Sequence, residues 1–160
     1  MNWQNKLTDQ NLNAPYLVLY NSSAKDANST IVKRSEIDLE FIVESVTYVL
    51  STHNLDEAFY LTAILNSSVP NELMKDFQAK GLFGARHVHK KILDVYFPRF
   101  SVSDERHLAL ARLSEQAHTR AKEFLQTAQP MNLGRLRLAV KSHLKDEMTA
   151  IDEIVGEMLA

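Results

Sequence analysis

The run EAFYLTAILNSSVPNELMKDFQAKGLFGARHVHKKILDVYFPRF, from Glu57 to Phe100, decides the fold that we predict for this chain. It starts with helix-forming residues, continues through a segment that contains Gly81 and Gly84, and ends in an extended pattern closed by Pro98. Glycine costs a helix interior roughly 1 kcal/mol relative to alanine, so the middle of the run is expected to form a loop. The run therefore predicts a helix, a basic loop and a strand, in that order.

The first part of the run has the spacing of an amphipathic helix. A side-chain oxygen of Asn54 or Asp56 is placed to cap its first turn, and the polar residues before Pro70 are expected to end it. Small and apolar residues recur at intervals of three and four, which places them on one face. The residues predicted on this face are Ala58, Leu61, Thr62 and Leu65.

Short β-rich segments precede this helix. Residues 16–20 form an apolar run between polar neighbours, which favours a buried strand. Residues 31–32, 41–43 and 45–50 are further β-branched or aromatic segments. We therefore expect three or four strands in this part of the chain.

Three more helices are predicted after the first one. A short helix over about residues 71–79 would bury Leu73, Met74 and Phe77. Helical spacing then covers residues 103–127 and about 132–159, with Pro130 between the two segments. The apolar stripe of this long pair must be covered, either by the first part of the chain or by another chain.

The predicted fold class is α+β: a small mixed sheet with packed helices, followed by a C-terminal pair of long helices. The division we predict is an α+β domain over residues 1–100 and a helical hairpin over residues 101–160. The hairpin is either a spacer or a part of the same domain. A chain of 160 residues is long enough to bury a single core without disulfides or metals.

Composition excludes several classes of function. The chain has no cysteine, which excludes thiol catalysis, disulfide frameworks and cysteine-ligated metal sites. No apolar run approaches the roughly 20 residues that a membrane span requires, so we expect a soluble cytoplasmic protein without a membrane partner.

The net charge is −2, but residues 75–100 carry six basic residues against two acidic ones. The basic excess therefore lies inside the run quoted above.

The sharpest cluster within that run is RHVHKK, residues 86–91. One interpretation makes His87 and His89 metal ligands together with His53, because alternate residues of a strand share a face. A second makes the cluster a DNA contact, in which basic side chains neutralise phosphates and Arg86 reads guanine. A third is a solvated basic loop. The flanking Gly81 and Gly84 either let the backbone approach a phosphate or frame a core plug made of the two residues between them.

Two motifs of the run carry a resemblance to a known family. YLTAILNSS at residues 60–68 and QAKGLFGARHVHKK at residues 78–91 resemble the target-recognition region of N6-adenine DNA methyltransferases of restriction-modification systems. APYLVLYNSSAK at residues 14–25 looks like an early strand of that region, and residues 135–159 look like its closing helix. The long helices are also similar to the spacers of type I specificity subunits.

This resemblance implies a chain that reads DNA sequence and positions a catalytic partner. The implied partners are double-stranded DNA and a DNA methyltransferase or restriction subunit, with a homodimer through the C-terminal helices as a further expectation. The glycines Gly81 and Gly84 would set the geometry of the loop. The residues implied as DNA contacts are Lys80, Arg86, His87, His89, Lys90, Lys91 and Arg99.

Catalytic motifs of the same family do not occur in the sequence. The four prolines stand in APY, VPN, FPR and QPM, so the Asn/Asp-Pro-Pro-aromatic motif is missing, and no G-x-G pattern is present. We therefore expect no catalytic residue, no metal and no cofactor in this chain. Three origins stay open: a separate specificity protein, a remnant or a fragment of a longer chain. The alternative functions are a helical assembly module or inactive remnant without DNA binding, and a stand-alone enzyme.

The histidines of the long helical segments receive no role. His107, His118 and His143 stand beside charged neighbours, and the prediction for each is an exposed side chain.

Overall fold

A central helix lies between a small antiparallel sheet and two C-terminal helices. A computed structural model describes residues 8–21, 27–44, 47–75, 80–81, 84–85 and 95–160 of the chain. The combination of a three-stranded sheet with helices packed against it confirms the predicted α+β class.

The sheet contains strands β1 (Tyr16–Asn21), β2 (Ser29–Lys33) and β3 (Thr47–Thr52) in the order β2-β1-β3, with both pairs antiparallel. Val18 of the central strand pairs with Ile31 on one side and Leu50 on the other. The apolar run of residues 16–20 is therefore the central strand, as its sequence predicted.

The prediction of a strand at residues 41–43 is wrong. No strand covers these residues, because their backbone groups bond to side chains instead of to a neighbouring strand. Val43 donates its amide to Gln10 Oε1 at 2.8 Å and accepts from Gln10 Nε2 at 2.6 Å. The Phe41 carbonyl accepts from Arg34 Nη1 at 2.7 Å. Arg34 is the first residue of a short 3-10 helix, Arg34–Glu36.

Helix α1 (Leu55–Asn66) is the centre of the fold. Asn54 caps it, because its Oδ1 accepts from the amides of Asp56 and Glu57 at 2.9 and 3.2 Å. Leu61 is half-buried, whereas the rest of the predicted face is buried. The opposite face is also buried, so α1 is buried nearly all round. Its buried residues are Ala58, Phe59, Tyr60, Thr62, Ala63, Ile64 and Leu65.

Helix α2 (Ser68–Lys75) begins three residues before the predicted start, with Pro70 inside its first turn. Proline is tolerated there because the first amides of a helix have no intrahelical acceptor. Leu73 was predicted to be buried but is 48% exposed, while Met74 is buried. Phe77 lies outside the described residues.

Two short strands follow α2. Strands β4 (Lys80–Gly81) and β5 (Gly84–Ala85) pair antiparallel, with Gly81 opposite Gly84. The two glycines of the predicted loop therefore face each other across a hairpin. The predicted strand before FPRF falls largely outside the described residues, and residues 95–100 contain no strand.

Helix α3 (Glu105–Thr127) agrees with the predicted helix at residues 103–127, and Asp104 caps it. Leu110 and Ala117 are buried, as is Ser114. Leu110 and Ala111 pack with α1 residues in one core cluster.

The predicted helix at residues 132–159 is two helices, α4 (Leu133–His143) and α5 (Lys145–Leu159). Leu144 leaves the helical conformation, with φ −98° and ψ 14°. Arg120 of α3 holds this break from outside the segment, because it donates to the His143 carbonyl at 3.2 Å and pairs with Glu147. The apolar spacing runs through the break, so it gave no sign of it.

The core forms two clusters on opposite sides of α1. Ala58 and Leu65 pack with Val18 and Tyr20 of the sheet, whereas the other face packs with α3 and α5. Residues from α5 in this second cluster include the buried Ile151 and Val155. The long helices α3 and α5 therefore pack on the first part of the chain, and a domain boundary at residue 100 stays a prediction.

Candidate nucleic-acid interface

Arg99 is exposed on a segment that is fixed on both sides. Tyr60 of α1 donates its hydroxyl to the Pro98 carbonyl at 2.6 Å. The Phe100 ring packs against the Tyr60 ring, with centroids 5.5 Å apart. The residues before and after Arg99 are thus anchored to the core, while Arg99 itself is exposed.

His107 completes this anchor, and its predicted exposure is wrong. It is 2% exposed, and its ring lies 4.6 Å from the Tyr60 ring. Its Nδ1 accepts from the Ser101 amide at 3.0 Å, so the proton of the neutral ring is on Nε2, 3.7 Å from Asp104 Oδ2. The aromatic neighbours come from distant parts of the sequence, which is why a local pattern did not reveal them.

Charges at the start of α3 are already paired. Asp104 accepts from the Arg106 amide at 2.9 Å and from Arg106 Nη2 at 2.8 Å. The hydrogen bond from Arg106 holds the pKa of the Asp104 carboxyl at about 2. Arg106 is therefore engaged by a neighbour, whereas Arg99 forms no ion pair with another residue that the structure describes.

Replacing Tyr60 by phenylalanine is expected to lower the free energy of unfolding by about 1 kcal/mol, since the bond to the Pro98 carbonyl is lost. Burial raises the pKa of Tyr60 to about 12, above its value of about 10 in the unfolded chain. The protonated Tyr60 hydroxyl therefore stabilises the folded state fully below pH 10, and this stabilisation is lost as the pH rises through 12. Urea denaturation at pH 7 and pH 11 measures this. Between these two pH values, the free energy of unfolding should fall less in Y60F than in the wild type. An equal loss would contradict the prediction.

The structure describes the other predicted contact residues only in part. The backbones of Lys80, Gly81 and Gly84 belong to the β4–β5 hairpin. The remaining members, which lie outside the described residues, are Arg86, His87, His89, Lys90 and Lys91. The described part of the chain has no group of three or more His, Asp or Glu side chains that could hold a metal, and of the proposed ligands it includes only His53.

The YLTAILNSS motif has a structural role. Asn66 bonds both backbone groups of Ser29, accepting its amide at 2.8 Å and donating to its carbonyl at 3.0 Å. Ser67 and Ser68 donate their hydroxyls to the Asp152 carboxylate of α5. The end of α1 is thereby joined to the sheet and to α5, so these polar residues hold the fold together.

A groove of about 550 Å3 runs between β2 and α3. Its wall includes His118, half-buried rather than exposed as predicted, whose Nδ1 lies 2.7 Å from the Ser114 carbonyl. Burial lowers the pKa of His118, which keeps its ring neutral at pH 7. The charged lining is balanced, with two basic and two acidic residues: Lys33, Lys122, Glu36 and Glu115. The groove is therefore not a cationic surface.

Helix α4 is a basic surface that sequence analysis missed. None of its residues is buried, and Arg135, Arg137 and Lys141 are exposed. The available signal was the absence of any Asp or Glu between Phe124 and Lys145. The segment was interpreted only by its apolar spacing, which hid this charge.

Comparison with known proteins gives no relative. No family model matches the chain, and no curated protein or solved structure is significantly similar to it. None of the helices within the described ranges is long and apolar enough to cross a membrane.

Proposed function

We propose that the chain is a DNA sequence-recognition module of a restriction-modification methyltransferase, which positions a partner catalytic domain and performs no catalysis itself. A cytoplasmic location is part of this proposal. The observation that carries it is the exposed Arg99, held between two anchored neighbours at the end of the basic segment.

An arginine in this position suits DNA for two reasons. Its planar guanidinium can bind two acceptors of guanine or a phosphate at once. Because Pro98 and Phe100 are fixed to Tyr60, the backbone of the segment loses little freedom when it binds. Arg99 is not paired with any carboxylate among the described residues, so its charge is available to an anionic partner.

The preceding segment supports the same proposal. Residues 75–100 carry six basic residues against two acidic ones, and the β4–β5 hairpin stands directly before Arg86. The opposed glycines of this hairpin lack Cβ atoms, so its backbone allows close approach of a phosphate. Of the DNA contacts that the family resemblance implies, Arg99 is the one whose surroundings are described here. The roles of the others stay predictions.

Replacing Arg99 by glutamine is expected to weaken binding to duplex DNA by roughly tenfold, equivalent to loss of one charge-assisted contact. Fluorescence anisotropy with a labelled pool of random 24-base-pair duplexes at low salt measures this. Arg112→Gln is the matched control, because Arg112 is also exposed but lies on α3. We expect the control to change affinity by less than about twofold.

Equal affinities for the Arg99 and Arg112 variants would remove Arg99 from the proposed interface. Circular dichroism of each variant must show the wild-type helix content, so that a loss of binding is not a loss of folding.

A further inference from the structure

We infer that the outward face of α4 is a second contact surface for the DNA phosphate backbone. We call Arg137 and Lys141, which lie four residues apart on one side of the helix, the α4 basic face. This inference rests on the proposed function, because it concerns the same ligand, but it assigns a site separate from Lys80, Arg86 and Arg99.

The arrangement along α4 separates an apolar side from a charged side. Leu136, Val140 and Leu144 recur every four residues and are half-buried, so this side faces the body of the protein. Arg137 and Lys141 are also four residues apart, and both are exposed. The helix therefore carries this pair of positive charges on an exposed side.

The charges of the α4 basic face are unpaired within the described part of the chain. Arg106 and Arg120, in contrast, have carboxylate neighbours, Asp104 and Glu147. Neither side chain of the α4 basic face takes part in an ion pair or side-chain hydrogen bond there. Concentrated cations without internal partners repel one another, and a polyanion would relieve that repulsion.

DNA fits this face better than a membrane does. A helix that binds a membrane surface turns a broad apolar side outward, whereas the apolar side of α4 is turned inward. The exposed leucines Leu133 and Leu138 do not amount to such a side. Phosphates of a duplex, in contrast, are spaced along a line that a row of basic side chains can follow.

Helix α4 and the segment of Arg99 contact opposite ends of α3. Phe100 packs on His107 near the start of α3, and His143 of α4 stacks on Phe124 near its end. Helix α3 has 23 residues and is therefore about 34 Å long. The Arg99 segment and α4 are therefore separate regions of the fold.

The test compares Arg137→Gln/Lys141→Gln with the control Arg112→Gln/Lys122→Gln, in which two exposed charges of α3 are removed. Binding of the full chain to a labelled 24-base-pair duplex is measured across a salt series. For the α4 variant we expect the slope of log K against log salt to fall by about 1.8, and affinity at low salt to fall by roughly tenfold. The control should keep the wild-type slope.

Each other outcome overturns the inference. If the α4 variant binds like the wild type while Arg99→Gln binds more weakly, α4 is not a contact but the proposed function stands. If the wild type itself does not bind, the proposed function fails as well. Equal losses in both double variants would mean a nonspecific effect of charge. If the α4 variant keeps DNA binding but no longer sediments with phosphatidylserine vesicles as the wild type does, the face binds membranes instead. If the α4 variant keeps DNA binding, and the wild-type chain forms a dimer that Leu138→Ser dissociates, then α4 mediates assembly.

Discussion

Replacing Asn71 by leucine is expected to lower the free energy of unfolding by about 4 kcal/mol, since three buried backbone groups lose their partner. Asn71 is 4% exposed. Its Oδ1 accepts from the Ala27 amide at 2.6 Å, and its Nδ2 donates to the carbonyls of Leu65 and Ser67 at 3.2 and 2.8 Å. Leucine has a similar size but no hydrogen-bonding atom, so packing changes little while all three bonds are lost.

Urea denaturation followed by circular dichroism measures this effect. Asn132→Ala is the control, because Asn132 is exposed and caps only α4, so we expect it to cost about 1 kcal/mol. A cost below 1 kcal/mol for Asn71→Leu would show that the three backbone groups find other partners.

Replacing Asp152 by alanine is expected to cost about 3 kcal/mol, since hydrogen bonds to a charged group contribute more than neutral ones. Its carboxylate accepts from the Ser67 hydroxyl at 2.7 Å, the Ser68 amide at 2.8 Å and the Ser68 hydroxyl at 2.5 Å. These residues are 84 or 85 positions away in the sequence, so this one side chain joins α5 to the junction of α1 and α2. Its negative charge also stabilises the N-terminus of α2.

A double-mutant cycle isolates this contribution. Ser68→Ala should cost less in the Asp152→Ala background than in the wild type, because the shared hydrogen bond is then already lost. Glu153→Ala is the control on the neighbouring exposed position and should change stability by less than about 0.5 kcal/mol. Strictly additive losses for Ser68 and Asp152 would contradict the link.

The sequence predicted those helices and strands whose ends depend on residues within a few positions of the end. Helix α1 was predicted from the Asn54 cap and the polar residues before Pro70, and both act within a few residues. The break at Leu144 was not predicted, because Arg120 of another helix holds it. The absent strand at residues 41–43 has the same kind of cause, since its backbone bonds to the distant side chains of Gln10 and Arg34.

The candidate site was predicted less completely than the fold. Arg99 was singled out by charge, but its rigid presentation depends on Tyr60 and His107, which the chain brings together only on folding. The motif at residues 60–68 was interpreted through its resemblance to a recognition region, whereas in the fold its polar residues form hydrogen bonds within the protein. The α4 basic face was overlooked because the segment was interpreted by its apolar spacing and not by the charges between the apolar residues.

The most direct test of the central claim is a salt titration of DNA binding by the wild-type chain. Anisotropy with a pool of random 24-base-pair duplexes should show binding that weakens linearly in log salt, with a slope of roughly −3 or steeper if several cations contact phosphates. Circular dichroism on the same sample establishes that the protein is folded. A folded protein that binds no duplex at low salt would contradict DNA recognition as the function of this chain.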